Sequence, residues 1–434
     1  MPKGKRKGRS DRNRNDGSLH SSDDDSNNND NASLISNCSE THSEDCGEEG
    51  NELAQEQFEE KLCELLDGLT QKSSQGRTNC LTSLTKGFVK KYIPSFIRDR
   101  YFTICDSIER SLKKGGGPEK AVAAELATVV CVQLGGEDAC EEIYRLLKPV
   151  LFTTVSDNSV AASVRAKCCS ALGTITFLTG GDLGDVVLLM QQFQSIFSAS
   201  YLKGDGALAN VTAENAMLHA SALSSWSLLL TLISPGSIAG MLNSKTLPAL
   251  EKLCQLLESP HLEVRMAAGE ALALIYELGR EENEEFEEDF ALDVSETLKQ
   301  LATDSHKYRA KKDRKQQRAT FRDILQFIEN GAVPEIQVKF GNELGKEVLV
   351  LDTWTKRKQY DTLCNILGPS INLHLSENYL LRDMFEIVGV LASTIAPPEQ
   401  LRKMQRYRQR FVNAANYKAR TLSRAKNRDK RSDF

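Results

Sequence analysis

The sequence predicts an all-α fold, a solenoid of stacked helical pairs, and three observations carry that prediction. First, Ser163–Leu178 aligns without a gap on Glu263–Leu278, with identity at Val164/Val264, Arg165/Arg265, Ala171/Ala271, Leu172/Leu272, Ile175/Ile275 and Leu178/Leu278. Second, Ala222, Leu223, Trp226 and Leu229 fill the same slots halfway between, and Leu126, Val129 and Val130 fill them more faintly upstream. The leucine slots at 126, 172, 223 and 272 lie 46, 51 and 49 residues apart, a period that belongs to armadillo/HEAT-like helical repeats. Third, apolar residues within each copy recur at i, i+3, i+4 and i+7, the spacing of an amphipathic helix. One such pair cannot bury its own apolar face, so stability has to come from neighbours. Val264 and Leu272 read as core. Ala267, Ala268 and Gly269 let adjacent helices approach closely, and Arg165 and Arg265 read as ties between repeats rather than as ligands.

The elements follow in order. Residues 1–14 carry seven basic side chains, which suit either a nuclear-import or RNA-touching arm or a solubilising tail. From Asn15 to Gly50 the chain turns to Ser, Asn, Asp and Glu, a composition that cannot offset its ordering entropy, so residues 1–56 are expected to be disordered. Order should begin near Gln57, where Phe58, Leu62, Leu65, Leu66 and Leu69 form a helical stripe. Helices are expected over Asn79–Lys90 and Phe96–Leu112, the latter closed by two lysines and three glycines. Pro118 opens the next, over Glu119–Leu134, and Glu137–Leu151 follows before the aligned copies. Gly204-Asp205-Gly206 is a loop, and no strand precedes it as dinucleotide binding would require.

After the last copy the charge pattern changes. Glu281–Asp289 holds seven acids, and Lys307–Arg318 holds seven bases: Lys307, Arg309, Lys311, Lys312, Arg314, Lys315 and Arg318. The blocks could neutralise each other across a helix pair, or the basic one could face a polyanion; a solvated face is the first reading. Phe321, Ile324, Leu325 and Ile328 dock that helix on the solenoid while its bases point outward. Residues 335–351 alternate as a β-hairpin, and helices are expected over Trp354–Leu367 and Ser376–Leu391. The chain thus divides into a tail (1–56), a repeat domain (57–330), a hairpin with helices closing the solenoid (331–397), and a basic C-terminal helix (398–434). That last segment holds twelve bases against two acids from 401 onward, with no proline or glycine after Pro398. Leu401, Met404, Tyr407 and Phe411 can anchor its start. A helix basic on most sides calls for a polyanionic partner; the bland alternative is a frayed solubilising tail.

Composition excludes several classes. Net charge is −5, the eleven cysteines form no C-x-x-C pair, and the six histidines are far apart. No disulfide framework, zinc site or catalytic pattern follows from them, and no cofactor is called for. No apolar run reaches the roughly 18 residues of a membrane span. A reducing compartment is expected.

Four stretches resemble the interferon-related developmental regulator family: LATDSHKYRAKKDRKQQRATFRDIL at 301–325, SYLK at 200–203, RMAAGEALALIYEL at 265–278 and NAANYKARTLSRAKNRDKRSD at 413–433. The resemblance implies an armadillo-like regulator of gene expression without catalytic activity. It implies two roles: binding ribosomes to keep them translationally inactive, with the C-terminal helix in a ribosomal RNA channel, and transcriptional co-regulation in the nucleus through protein partners. The first role falls on Lys418, Arg420, Arg424, Lys426, Arg428, Lys430 and Arg431. The expected partners are therefore the ribosome and its RNA, or nuclear co-regulator proteins, met by a monomer and with no membrane involved.

Overall fold

Stacking of the repeated helices is the organising feature of the structure, a computed structural model that describes residues 48–136, 138–180, 182–303, 311–341 and 346–387. Among the described residues, six helical pairs follow one another. They are α1 (Glu48–Gly68) with α2 (Ser74–Lys90), α3 (Pro94–Lys114) with α4 (Gly117–Leu134), and α5 (Asp138–Ser156) with α6 (Ala162–Thr179). Then come α7 (Leu183–Phe197) with α8 (Ala213–Leu230), the short α9 (Ile238–Asn243) and α10 (Leu250–Leu256) with α11 (Leu262–Glu282), and α12 (Glu288–Thr303) with α13 (Lys311–Asn330). The second helix of each pair packs on the second helix of the next, so α2, α4, α6, α8, α11 and α13 form an inner row. The aligned copies are the centre of that row. Leu126, Leu172, Leu223 and Leu272 are all fully buried, as are Val264, Trp226, Ile175 and Ile275.

Small residues set how close the row can pack. A Cβ on Gly269 would stand 2.7 Å from Phe321 and 2.9 Å from Ile324 of α13, and one on Gly173 would stand 2.7 Å from the Ser225 Cβ of α8. Buried polar ties cross the same joints. Arg265 donates to Ser259 O at 2.6 Å and to Gln317 Oε1 at 2.7 Å, joining α11 to α13, and Arg165 donates from Nε to Val155 O at 2.9 Å. Arg265 is therefore the tie between repeats that the pattern implies, whereas Arg165 bonds within its own pair, from α6 to the end of α5. Gln133 on α4 bonds Phe88 O and Lys91 O at the end of α2 and accepts from the Ile93 N–H. Ser225 donates to Cys169 O at 3.2 Å, between α8 and α6.

Boundaries shift where caps act. The Ser73 hydroxyl accepts the Gly76 N–H at 3.1 Å, so α2 opens at Ser74 rather than Asn79. α1 opens at Glu48, ahead of the expected Gln57. α5 continues through Pro149 to Ser156, past the expected Leu151, and buries Thr154 and Val155 in doing so. The hairpin forms as expected from β1 (Ile336–Phe340) and β2 (Glu347–Leu351), antiparallel, with Val338 opposite Leu349 and Ile336 opposite Leu351.

The segment after the hairpin departs furthest from expectation. α14 (Trp354–Leu367) packs on α11, α8, α4 and α2, so it lies across the inner row instead of adding to its end. The helix expected over Ser376–Leu391 is instead two short ones, α15 (Ile371–Glu377) and α16 (Tyr379–Met384), broken at Asn378. The Asn378 side chain is the cause: its Oδ1 accepts the Leu380 N–H at 2.9 Å, while its Nδ2 reaches Val132 O of α4 at 2.9 Å. Among the described residues the opposed charge blocks also do not meet. Arg280 reaches Phe327 O, whereas Arg265 reaches Gln317, so α11 and α13 run in the same direction. Glu281–Asp289 thus adjoins the far end of α13, about 20 Å along the helix from its first basic turn.

Replacing Leu172 or Leu272 by Ala should each cost about 2–5 kcal/mol, read from chemical denaturation, because both sites are closed on every side. A pH dependence follows from His219, which is buried on α8 with Nδ1 2.6 Å from Ser200 Oγ. Burial, then Arg165 and His261, push its pKa down to about 4. Between that value and about 6.5 the unfolded chain takes up a proton that the folded one does not. Stability should be complete above about pH 6.5 and fall by about 2–4 kcal/mol as pH drops toward 4. Denaturation midpoints at pH 7.5, 6 and 4.5 should show a flatter profile for His219→Gln than for the natural chain.

Candidate functional site

Two features offer themselves as functional surfaces: the basic opening of α13 and the covered inner face. In α13 the buried stripe is Gln317, Phe321, Ile324 and Ile328, each three or four residues from the last. Lys311, Lys312 and Lys315 stand off that stripe and are exposed. Arg314 and Arg318 precede Phe321 by seven and three residues, which places them at the margin of the packed face, and both are half-buried. The expectation that every base of this block points outward is corrected for those two. Lys307 and Arg309 lie outside the described residues, and so do all seven bases of the C-terminal run, Lys418, Arg420, Arg424, Lys426, Arg428, Lys430 and Arg431.

The inner face is covered by a strap built from α14, α15 and α16, and polar latches fix it at both ends. At the near end the Glu277 carboxylate on α11 accepts the Trp354 N–H at 2.6 Å, the Thr355 N–H at 2.8 Å and the Thr355 hydroxyl at 2.8 Å. It thereby caps the start of α14 from outside the helix. Burial raises the Glu277 pKa, and those three donors work against the rise. Along α14, Lys358 is buried with its ammonium 2.7 Å from Ser224 Oγ and 3.1 Å from Glu270 Oε2. At the far end the fully buried His374 bonds Val89 O at 2.9 Å, with burial lowering its pKa. Arg382 forks onto Glu347 at 2.7 and 2.9 Å, tying α16 to the hairpin. The Arg382 contact holds the Glu347 carboxyl below its usual range.

None of these latches is marked by a local motif. One signal existed for Glu277, since the aligned position in the earlier copy is the buried Phe177. A carboxylate in a slot that is otherwise core asks for a partner.

Residues 31–329 match the family described as Interferon-related developmental regulator (IFRD), and residues 378–432 match its second part, the Interferon-related protein conserved region. The chain belongs to the interferon-related developmental regulator family. It is 40% identical over 398 residues to Interferon-related developmental regulator 2 of Mus musculus, covering 90% of this chain and 87% of that one. It is 36% identical over 383 residues to Interferon-related developmental regulator 1 of Homo sapiens, covering 88% and 83%. An uncharacterized protein of Schizosaccharomyces pombe is 26% identical over 258 residues, 56% of this chain and 55% of its own. Among solved structures an engineered protein superposes at a TM-score of 0.38 with 17% identity, over 61% of this chain and 97% of its own. Within this interferon-related regulator the conserved region begins at Asn378, the residue that breaks the strap, and extends through all seven bases of the C-terminal run.

Glu277→Ala leaves two backbone donors of α14 without their acceptor and should destabilise the fold by about 1–3 kcal/mol. Amide hydrogen exchange should accelerate in the first turn of α14 and stay unchanged in α6.

Proposed function

We propose that this interferon-related regulator is a non-enzymatic repressor of translation that binds ribosomes through ribosomal RNA. The observation that carries the reading is the segment 401–434, with twelve bases, two acids and neither proline nor glycine. A planar guanidinium matches phosphate oxygens in pairs, and a run of such groups neutralises a phosphate track at a density that protein surfaces seldom offer. Lys418, Arg420, Arg424, Lys426, Arg428, Lys430 and Arg431 take the phosphate contacts in this reading. The α13 block, through Lys311, Lys312 and Lys315 with its neighbours, is a second and weaker contact. The protein acts as a monomer, without a cofactor, in the cytoplasm and the nucleus. No single described helix is long and apolar enough to cross a membrane.

A second reading is a nuclear transcriptional co-regulator that serves as a protein scaffold. It is favoured by large apolar side chains exposed on the outer helices, Phe102, Leu188 and Leu292 among them. The two readings part on the tail.

Changing Arg420, Arg424 and Arg428 together to Glu should reduce the salt slope of RNA binding by roughly one per lost contact and release the protein from ribosomes in sedimentation. The melting temperature should barely move, because the solenoid keeps its core. Equal ribosome co-sedimentation of both proteins at every salt concentration would remove the tail from the mechanism and favour the scaffold.

A further inference from the structure

α14 rests on α2 and α4 toward one end and on α8 and α11 toward the other. Over α6 it bridges a cavity of about 320 Å³. The hollow exists because the residues beneath are short: Ser170 and Thr174 on α6, Thr85 and Thr128 on α2 and α4, Ser225 on α8. Most of these hydroxyls already donate to a backbone carbonyl. Thr85 donates to Leu81 O, Thr128 to Ala124 O, Ser170 to Ala166 O and Ser225 to Cys169 O, at 2.8 to 3.2 Å. Thr362 in the roof donates to Lys358 O at 2.8 Å. The engaged hydroxyls turn oxygen lone pairs toward the cavity, and the lining also holds donors, the Asn365 amide in the roof and the Lys167 ammonium at the rim. Val129, Leu228 and Ile366 supply an apolar lining. At the rim stands one carboxylate, Glu125, paired at 2.7 Å with Lys167.

We propose that this cavity receives a lysine or arginine side chain of a partner polypeptide. This inference is independent of the RNA-binding tail. The chemistry has an internal precedent on the same face, because Lys358 is held next to the cavity by a hydroxyl, Ser224, and a carboxylate, Glu270. The cavity repeats that pairing with Ser170, Thr174 and Glu125, and its apolar lining suits the methylene stem of a basic side chain. Lys167 is the occupant of Glu125 in the absence of a partner. Both members of that pair are about half exposed, 55% and 41%, so the bond between them is weak and an arriving cation displaces the Lys167 ammonium into solvent at little cost.

The test uses the full chain labelled at its methyl groups and titrated with N-acetyl-lysine methylamide or with its uncharged counterpart N-acetyl-norleucine methylamide. The lysine probe should give saturable shifts at Val129, Leu228 and Ile366 and none at outer-row methyls, with norleucine binding roughly tenfold more weakly. Glu125→Gln should weaken lysine binding, whereas Lys167→Ala, which removes the competitor, should tighten it by up to about fivefold. An apolar cavity of no cationic preference would bind norleucine as well as lysine or better, and that result overturns the proposal. So does the absence of saturable shifts with the natural chain, or weaker binding by Lys167→Ala with its melting temperature intact. The comparison of the two probes needs no variant, so a folding defect in either substitution leaves the test standing.

Discussion

Lateral packing of the inner helices is the constraint on which the rest of the molecule depends. An inner helix such as α6 touches a neighbour on each side in its own row and an outer helix behind, while α14 passes in front. It therefore has almost no solvent face, and Ala171–Leu178 is buried without interruption. An outer helix has one packed side and stays amphipathic, as α5 does with Ile143, Leu147 and Leu151 buried and Arg145 exposed. The close approach permitted by Gly173 and Gly269 brings polar side chains of one inner helix within bonding distance of the next. The polar groups there must satisfy one another, which is why Arg265, Gln133 and Ser225 bond across from one helix to the next.

What is legible in the sequence follows from that arrangement. Repeated local contacts leave a repeated local pattern, so the slots around Leu172, Leu223 and Leu272 mark the inner row in the sequence itself. The hairpin is equally legible from the alternation of Ile336, Val338 and Phe340. The strap is not, because its contacts join residues far apart in the chain: Asn378 meets Val132 and His374 meets Val89. No periodicity records a bond between a side chain and a carbonyl more than two hundred residues away. The break at Asn378 is half hidden for the same reason, since its cap on the Leu380 N–H is local but its anchor is the distant carbonyl of Val132 on α4. Half-burial of Arg314 and Arg318 is written in their phase relative to Phe321. Charge density alone points those two toward solvent, and the phase of the helix overrides it.

The latches also decide how the strap is held. Four of its fixings, at Glu277, Lys358, His374 and Arg382, involve an ionisable side chain that is at least partly buried. Apolar contact alone would let α14 slide along the groove between inner helices, since hydrophobic burial is non-directional. A carboxylate that accepts two consecutive backbone N–H groups admits one register only. Position along the inner face is thus fixed by polar geometry, while area is supplied by Leu363, Leu367 and Leu375.

The bond from His374 to Val89 spans 285 residues of chain. A protein made from its N-terminus at about 5–20 residues per second delivers His374 some 15–60 seconds after Val89. During that interval α2, α4, α6 and α8 have left the exit tunnel and can stack, yet their front is open to the surroundings. The nascent solenoid is therefore a different object from the finished one: a row of helices with its hydroxyl-lined side uncovered, free to meet chaperones or partners that the mature molecule admits only through the opening beneath α14.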